Sequence, residues 1–489
     1  MPSNNYTTRI DDAINQYSTN GVALLNALAA IHSDARVNGD AVIYPYGRSF
    51  NLEIPSGYNP IQLSPNTDFN NCQITVLNQS ANKYLFAMEK TSTSVSIGKS
   101  YLHSGGNISS ICPQMASGIK LLVVEDANLW TQRTSPPDSR YRKDMLLVDN
   151  GVIQNDPIST YNNNSSSPLC AFYNTDQNQK TFKNLTFIRN SASTHITNLV
   201  ALLGQYNVLI ENIIVNTTSN ATINIGDSCI RIINSININV VDTCFDRTYS
   251  SISNYGYGIE MDNVYNSYFE NVVGYNLPWG LFGTRNTNTV ELKECHINRF
   301  DVHCYGCNVY CEDCTFENTN NDTHTYNRYS SIYGFVKYKN CTFIKFKPLQ
   351  IDSDYNAFTA FDLIMENWEV SLSTTNDCLI YIWEINNTIN QRAELALKCL
   401  PNIIITDMTL HALNGVTTIY FYKVNSYSYT STIKYMDTFQ VDIVSFSQQT
   451  SGNVNLVDSN VAMELEEHLV YTIGTPGNKH NICLKYWQS

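Results

Sequence analysis

A short phrase that returns at uneven intervals limits what this chain can fold into. It reads as an apolar residue, a spacer or charged residue, then Asn, Asp or Cys, then an alternating apolar stretch. It runs as Phe182-Lys183-Asn184-Leu185-Thr186-Phe187, Ile210-Glu211-Asn212-Ile213, Val241-Asp242-Thr243 and Phe269-Glu270-Asn271-Val272. It continues as Glu294-Cys295-His296-Ile297, Asp313-Cys314-Thr315-Phe316, Lys339-Asn340-Cys341-Thr342-Phe343 and Glu366-Asn367-Trp368, with a weaker copy at Asp407-Met408-Thr409-Leu410. Anchored on residues 184, 212, 242, 271, 295, 314, 341 and 367, the steps are 28, 30, 29, 24, 19, 27 and 26. Such steps belong to a solenoid. Their irregularity excludes tightly periodic arrays such as leucine-rich repeats. It fits a right-handed single-stranded parallel β-helix, in which strands stack coil on coil while the loops between them vary in length. No single coil can bury its inner face, so stability comes from stacking. The small polar residue of the phrase is expected at a turn, where Asn or Asp tolerates unusual dihedrals.

An open solenoid end must be covered. The stretch 21–32, GVALLNALAAIH, reads as a capping helix, followed by a strand and Pro/Gly turn over 40–47. The expected organisation is an N-terminal segment and cap over 1–50, a parallel β-helix over 51–375, and terminal coils with a β-rich C-terminal domain over 376–489. Within this, 130–180 reads as irregular, and 417–424 and 432–446 read as strands.

Strand alternation directs Tyr257, Ile259 and Met261 inward and Glu260 and Asp262 outward. Residues i and i+2 of a strand stand about 6.6–7 Å apart, which matches the acid–base spacing of an inverting glycosidase. The bland alternative is a pair of solvated carboxylates. Counting eleven back from 242, 271 and 314 gives Arg231, Glu260 and His303, so these three are expected to share one outward stripe with Trp279 nearby. Such a stripe suits sugar cleavage or a binding platform without chemistry. Asp301 and His303 form an i, i+2 pair that either orients the imidazole or satisfies a strand edge. Asp242 and Asp246 read as turn residues before they read as acids. The run Cys304, Cys307, Cys311, Cys314 has two C-x-x-C pairs, but only three residues separate them. Stacked buried thiols fit better than a zinc knuckle, and no metal or other cofactor is expected.

The net charge is −13 and charged residues make up 15% of the chain. With no cluster of Lys and Arg, nucleic acid is excluded as a partner. The polar surface is built from Asn, Ser and Thr and suits neutral glycans. No apolar run reaches the ~20 residues of a membrane span. The first twelve residues carry no apolar secretory stretch, which fits either a mature chain whose signal has been removed or exit by another route such as lysis. Nucleotide-loop, zinc-helix and nucleophile-elbow motifs do not occur. The Asn-x-Ser/Thr sites at Asn184 and Asn216 read as chance in an Asn-rich chain.

The helix-then-strand opening, the repeats over about 180–370 and the phrase Asn298-Arg299-Phe300-Asp301-Val302-His303-Cys304-Tyr305-Gly306 resemble the pectate-lyase-like β-helix proteins, above all bacteriophage tailspikes and tail appendages. The resemblance implies a homotrimer in the virion tail. That trimer would contact other tail proteins and a bacterial surface polysaccharide, which it binds and in some members depolymerises. On that reading Glu260, Asp262 and His303 are the catalytic candidates, and Arg231, Trp279, Asp301 and Tyr305 the substrate-binding ones. The competing readings are a non-catalytic structural or adhesive virion protein and a cellular polysaccharide lyase or hydrolase.

Overall fold

The computed structural model describes residues 5–78, 84–134, 137–157, 168–189, 198–217, 228–247, 257–274, 277, 279–317, 326–329, 332–345, 347–352, 360–373, 378–383, 402–424, 439–449, 454–459 and 482–485, with side chains left aside at some of these, 126–142 among them. Two compact bodies make up the chain: Met1–Ala127 with Lys143–Phe282, and Asn128–Arg142 with Gly283–Ser489.

In the first body, short parallel strands stack in three columns. One column pairs Ile43, Asp68, Lys183, Glu211, Val241 and Glu270 from coil to coil. A second pairs Phe50, Ile74, Phe187, Val215, Phe245 and Gly274. The third pairs Gln62, Ala87, Ala201, Arg231 and Glu260. The inward positions are apolar and buried, with Phe69, Phe86 and Phe182 packed ring on ring at centroid distances of 5.1–6.0 Å. Each such side chain contributes roughly 1.5–3 kcal/mol by leaving water. This is the parallel β-helix expected from the repeats.

The recurring Asn or Asp makes the corners. Asn184, Asn212, Asp242, Asn271, Asn340, Asn367 and Asp407 all have φ between 47° and 61°. Most L-residues lose about 1–2 kcal/mol in this left-handed region, and Asn and Asp visit it most readily. Their side chains also ladder along the coils. Asn184 Nδ2 donates to Asp68 Oδ1 at 2.9 Å, Asn212 to Asn184 at 2.8 Å, and Asn271 to Asp242 at 2.7 Å. Asn340 donates to Asp313 at 3.0 Å and Asn367 to Asn340 at 2.9 Å. Further corners at Asn234 and Asn237 split the 18-residue strand Ile230–Arg247 into short straight pieces. At three repeats the anchors 295, 314 and 341 are one residue late. The left-handed residues there are Glu294, Asp313 and Asn340, and the cysteine follows the corner.

Two helices cover the first coil, α1 (Tyr6–Gln16) and α2 (Gly21–Asn38). The expected cap is α2, longer at its C-terminal end than the sequence pattern suggests. Asn20 accepts from Ala23 N at its N-terminus, and Gly39 (φ 72°) closes its C-terminus. Leu24, Leu25, Leu28 and Ile31 face the coil, and Gly21 sits so close to the strand Ser49–Glu53 that a Cβ there would lie 2.6 Å from Glu53 N.

His32 is buried beneath this cap. Ser64 N–H donates to its Nδ1 at 3.3 Å, so Nε2 carries the proton and donates to Tyr44 Oη at 3.0 Å. Burial, with Arg36 adding to it, lowers its pKa from 6.5 to about 3. Between those values the unfolded chain holds a proton that the folded chain lacks, so stability rises with pH across that window and falls on acidification. Wild type should lose about 2 kcal/mol from this residue between pH 7 and pH 5. Urea titrations of wild type and His32→Gln at both pH values isolate the effect from carboxylates titrating nearby. Equal pH slopes would contradict it.

Residues 90–179 interrupt the coil succession. Their five strands form a separate sheet, with Leu169–Asn174 antiparallel to both Ser92–Val95 and Ile119–Thr134. One face has its own core of Ile97, Ile108, Met115, Leu122, Leu146 and Phe172. The other packs Leu121, Val123, Met145 and Tyr173 onto the outer surface of the coils at Ile236 and Tyr265. The sequence pattern, irregular over 130–180, gives no sign of this insertion.

In the second body the same parallel pairing continues. Thr315, Thr342, Glu369, Thr409 and Ser445 are in register, and Asp301, Arg328, Gln350, Tyr381 and Lys423 form another column. Parallel strands persist through Asn455–Ser459, and most of the expected C-terminal domain lies outside the described residues. Cys295, Cys314 and Cys341 follow successive corners and are buried as stacked thiols. Cys311 lies buried beside them, its pKa pushed well up by burial and then by Cys314 and Cys295. Among the described residues no group of three or more His, Cys, Asp or Glu is placed to hold a metal, and no helix is long and apolar enough to cross a membrane.

Candidate functional site

The third column of the first body carries the candidate carboxylates. In the strand Ile259–Gly274, Ile259 and Met261 are fully buried inward, as alternation predicts. Glu260 points the other way and is nevertheless only 7% exposed. The expectation of a solvated pair is therefore corrected for Glu260, because facing away from the core did not mean facing water. Ser228 Oγ donates to Glu260 Oε2 at 2.9 Å, and Arg231 Nε stands 3.8 Å from the same oxygen. Arg231 and Glu260 are direct partners in adjacent coils, as the register count predicts. Asp262, beside Ile233 in register, is half-buried and more open than Glu260. The two carboxyls thus share a strand face in unequal surroundings. Trp279 is half-buried with its ring edge-on to Tyr257 at 5.5 Å, while nearby Phe282 is wholly in the core.

His303 belongs to the second body. In the strand Phe300–Glu312, Phe300 and Val302 face inward, and Arg299, Asp301 and His303 alternate with them. Arg299 Nη2 lies 2.6 Å from Asp301 Oδ2, and His303 Nε2 lies 3.2 Å from the same atom. Asp301 is fully buried and His303 is 7% exposed. Asp301 thereby orients the imidazole from a buried position. Tyr305 lies in the same strand, with its side chain outside the described residues.

The structure therefore joins Arg231 to Glu260 and Asp301 to His303. Sequence reasoning missed Ser228 and Arg299. Arg299 was legible as the start of an Arg-x-Asp-x-His alternation. Ser228 was not, because it reaches Glu260 across 32 residues.

The fold is that of the pectate-lyase-like parallel β-helix proteins. No protein-family model and no curated protein sequence matches the chain. Solved structures do. The tailspike protein gp49 from Pseudomonas phage LKA1 is similar at 13% identity and a TM-score of 0.53, covering 90% of this chain and 74% of its own. The Gp54 tailspike of Acinetobacter baumannii bacteriophage AP22, solved with a capsular saccharide, gives 9% identity, a TM-score of 0.47 and coverage of 93% and 75%. The Pseudomonas phage phi297 tailspike gp61 gives 12%, 0.42, 89% and 81%. At these identities the likeness is one of fold.

Proposed function

We propose that this chain is the glycan-reading β-helix of a phage tail appendage, displayed on the virion as a homotrimer against other tail proteins. Its ligand is a bacterial surface polysaccharide. The observation that carries this reading is the face of the third column, where Arg231, Ser228 and Glu260 form one polar cluster beside Asp262. The shared fold with the LKA1 tailspike and a surface poor in charge support it. Arg231 and Trp279 bind sugar hydroxyls and ring faces.

Glu260 and Asp262, two residues apart on one strand face, have the strand spacing that inverting hydrolysis uses. One of them protonates the leaving oxygen and the other activates water. Incubation with purified capsule or lipopolysaccharide of candidate hosts, followed by sizing of the glycan, tests this. Binding and shortening are expected, with Glu260→Gln and Asp262→Asn each slowing cleavage by about 10²-fold or more while binding persists. Unchanged cleavage in both variants would remove the pair from the chemistry. Tight binding without shortening would leave an adhesin, and no binding to any host glycan would overturn the reading.

A further inference from the structure

The second body carries a hydrolytic arrangement that no motif announces. Glu369, His411 and Ser447 come from three successive coils. His411 is directly opposite Ser447 in register, and Glu369 is opposite Thr409, two residues before the histidine. Glu369 and His411 alternate with the buried Val370, Leu410 and Ala412, and Ser447 is exposed, so all three stand on the outward side. His411 Nε2 lies 2.9 Å from Glu369 Oε1, and His411 Nδ1 lies 2.6 Å from Ser447 Oγ. The carboxylate accepts the Nε2 proton. That fixes the tautomer and leaves the Nδ1 lone pair to accept the serine hydroxyl. Nucleophile, base and orienting acid are thus in hydrogen-bonded order, the geometry that activates a serine.

We propose that Glu369, His411 and Ser447 form a serine esterase site acting on small O-acyl groups carried by a polymer. Ser447 Oγ attacks the acyl carbon while its proton passes to His411 Nδ1 and the carbonyl π pair moves onto oxygen. When the carbonyl re-forms, the alcohol oxygen leaves and takes the proton from His411. Water then gives a proton to His411, its oxygen bonds to the acyl carbon, and Ser447 departs with that proton. The net change is ester plus water to acid plus alcohol.

Openness sets the substrate class. The Glu369 side chain is 50% exposed and that of His411 29%, with Ser447 exposed beside them. An ester on a chain lying across the strands reaches such an open face. This choice of polymer rests on the glycan reading, but the serine chemistry does not. The neighbouring backbone N–H of Gln449 is engaged by Ala412 O at 2.9 Å. Developing oxyanion charge is met by side chains or water, which slows both steps, and with an activated ester such as p-nitrophenyl acetate, whose leaving group is good, deacylation limits.

The full chain is treated with a fluorophosphonate, which labels activated serines, and with p-nitrophenyl acetate. An adduct on the peptide bearing Ser447 and a burst approaching one p-nitrophenolate per chain are expected. Ser447→Ala and His411→Ala abolish the adduct, Glu369→Gln slows labelling about tenfold, and Ser371→Ala, on the other side of His411 in register, leaves it unchanged. Labelling of folded wild type needs no variant to fold. No adduct, or an adduct elsewhere, would overturn the proposal. Neither probe is a glycan, so failure here and failure of glycan binding are separate results.

Discussion

Replacing Asp301 by alanine is expected to destabilise the chain by about 3–5 kcal/mol, the usual cost of removing one partner from a buried ion pair. Arg299 and Asp301 are 3% and 1% exposed at their side chains, 2.6 Å apart. Returning the guanidinium to water would require opening the structure around it. The exposed pair Arg9–Asp34 provides the contrast. It is nearly as short, 2.7 Å, but its side chains are 42% and 55% exposed. Asp34→Ala should therefore cost under about 1 kcal/mol. Equal losses in urea titrations of the two variants would contradict the argument that burial, not distance, decides the outcome. Because Asp301 also holds His303, the milder Asp301→Asn should disturb the imidazole's orientation at a smaller cost in stability.

The second large effect is expected at Gly204. It occupies a corner at φ 65°, and a Cβ there would lie 2.3 Å from the Tyr173 ring. The next two coils place Asn234 and Asn263 at the equivalent corner, joined by a 2.9 Å hydrogen bond. Asn234 in turn donates to Tyr173 Oη at 3.0 Å. Glycine is required where the ring passes, because Tyr173 anchors the inserted sheet to the coils. Gly204→Ala adds left-handed strain of about 1–2 kcal/mol and overpacking of about 1–3 kcal/mol, so a loss of about 3 kcal/mol is expected. Gly47, at φ 64° with nothing within 4 Å of a Cβ, isolates the strain alone. If Gly47→Ala and Gly204→Ala cost the same, Tyr173 does not restrict the corner. A Tyr173→Ala background should recover the steric part as a coupling energy.

The corners were legible because a left-handed residue leaves a chemical trace. Asn184, Asn212, Asp242, Asn271, Asn367 and Asp407 mark them directly. Where the corner was misplaced by one, at 294, 313 and 340, the conspicuous cysteine drew the anchor away from the residue that bends the chain. The pairing of Arg231 with Glu260 followed from counting between corners. Burial of Glu260 and His303 did not follow, because alternation says only which side chains leave the core. Neighbouring tertiary structure decides whether the outer face meets water. The inserted sheet was illegible for a related reason. Its two faces both end up against apolar partners, so Leu121–Val124 reads as a continuous apolar run and not as an alternating strand. The cluster of Glu369, His411 and Ser447 was beyond reach, since gaps of 42 and 36 residues are closed only by stacking.

Coil-to-coil register is most directly tested by oxidative cross-linking. Arg231→Cys with Glu260→Cys puts two thiols on directly paired positions, at the roughly 4.8 Å spacing of neighbouring strands, within disulfide reach. Arg231→Cys with Asp262→Cys moves one partner two residues along, to about 8 Å, beyond it. Peptide mapping should find the 231–260 bridge in high yield and the 231–262 bridge at background. The reverse preference, or no bridge in either protein, would contradict the stacking on which the sites depend.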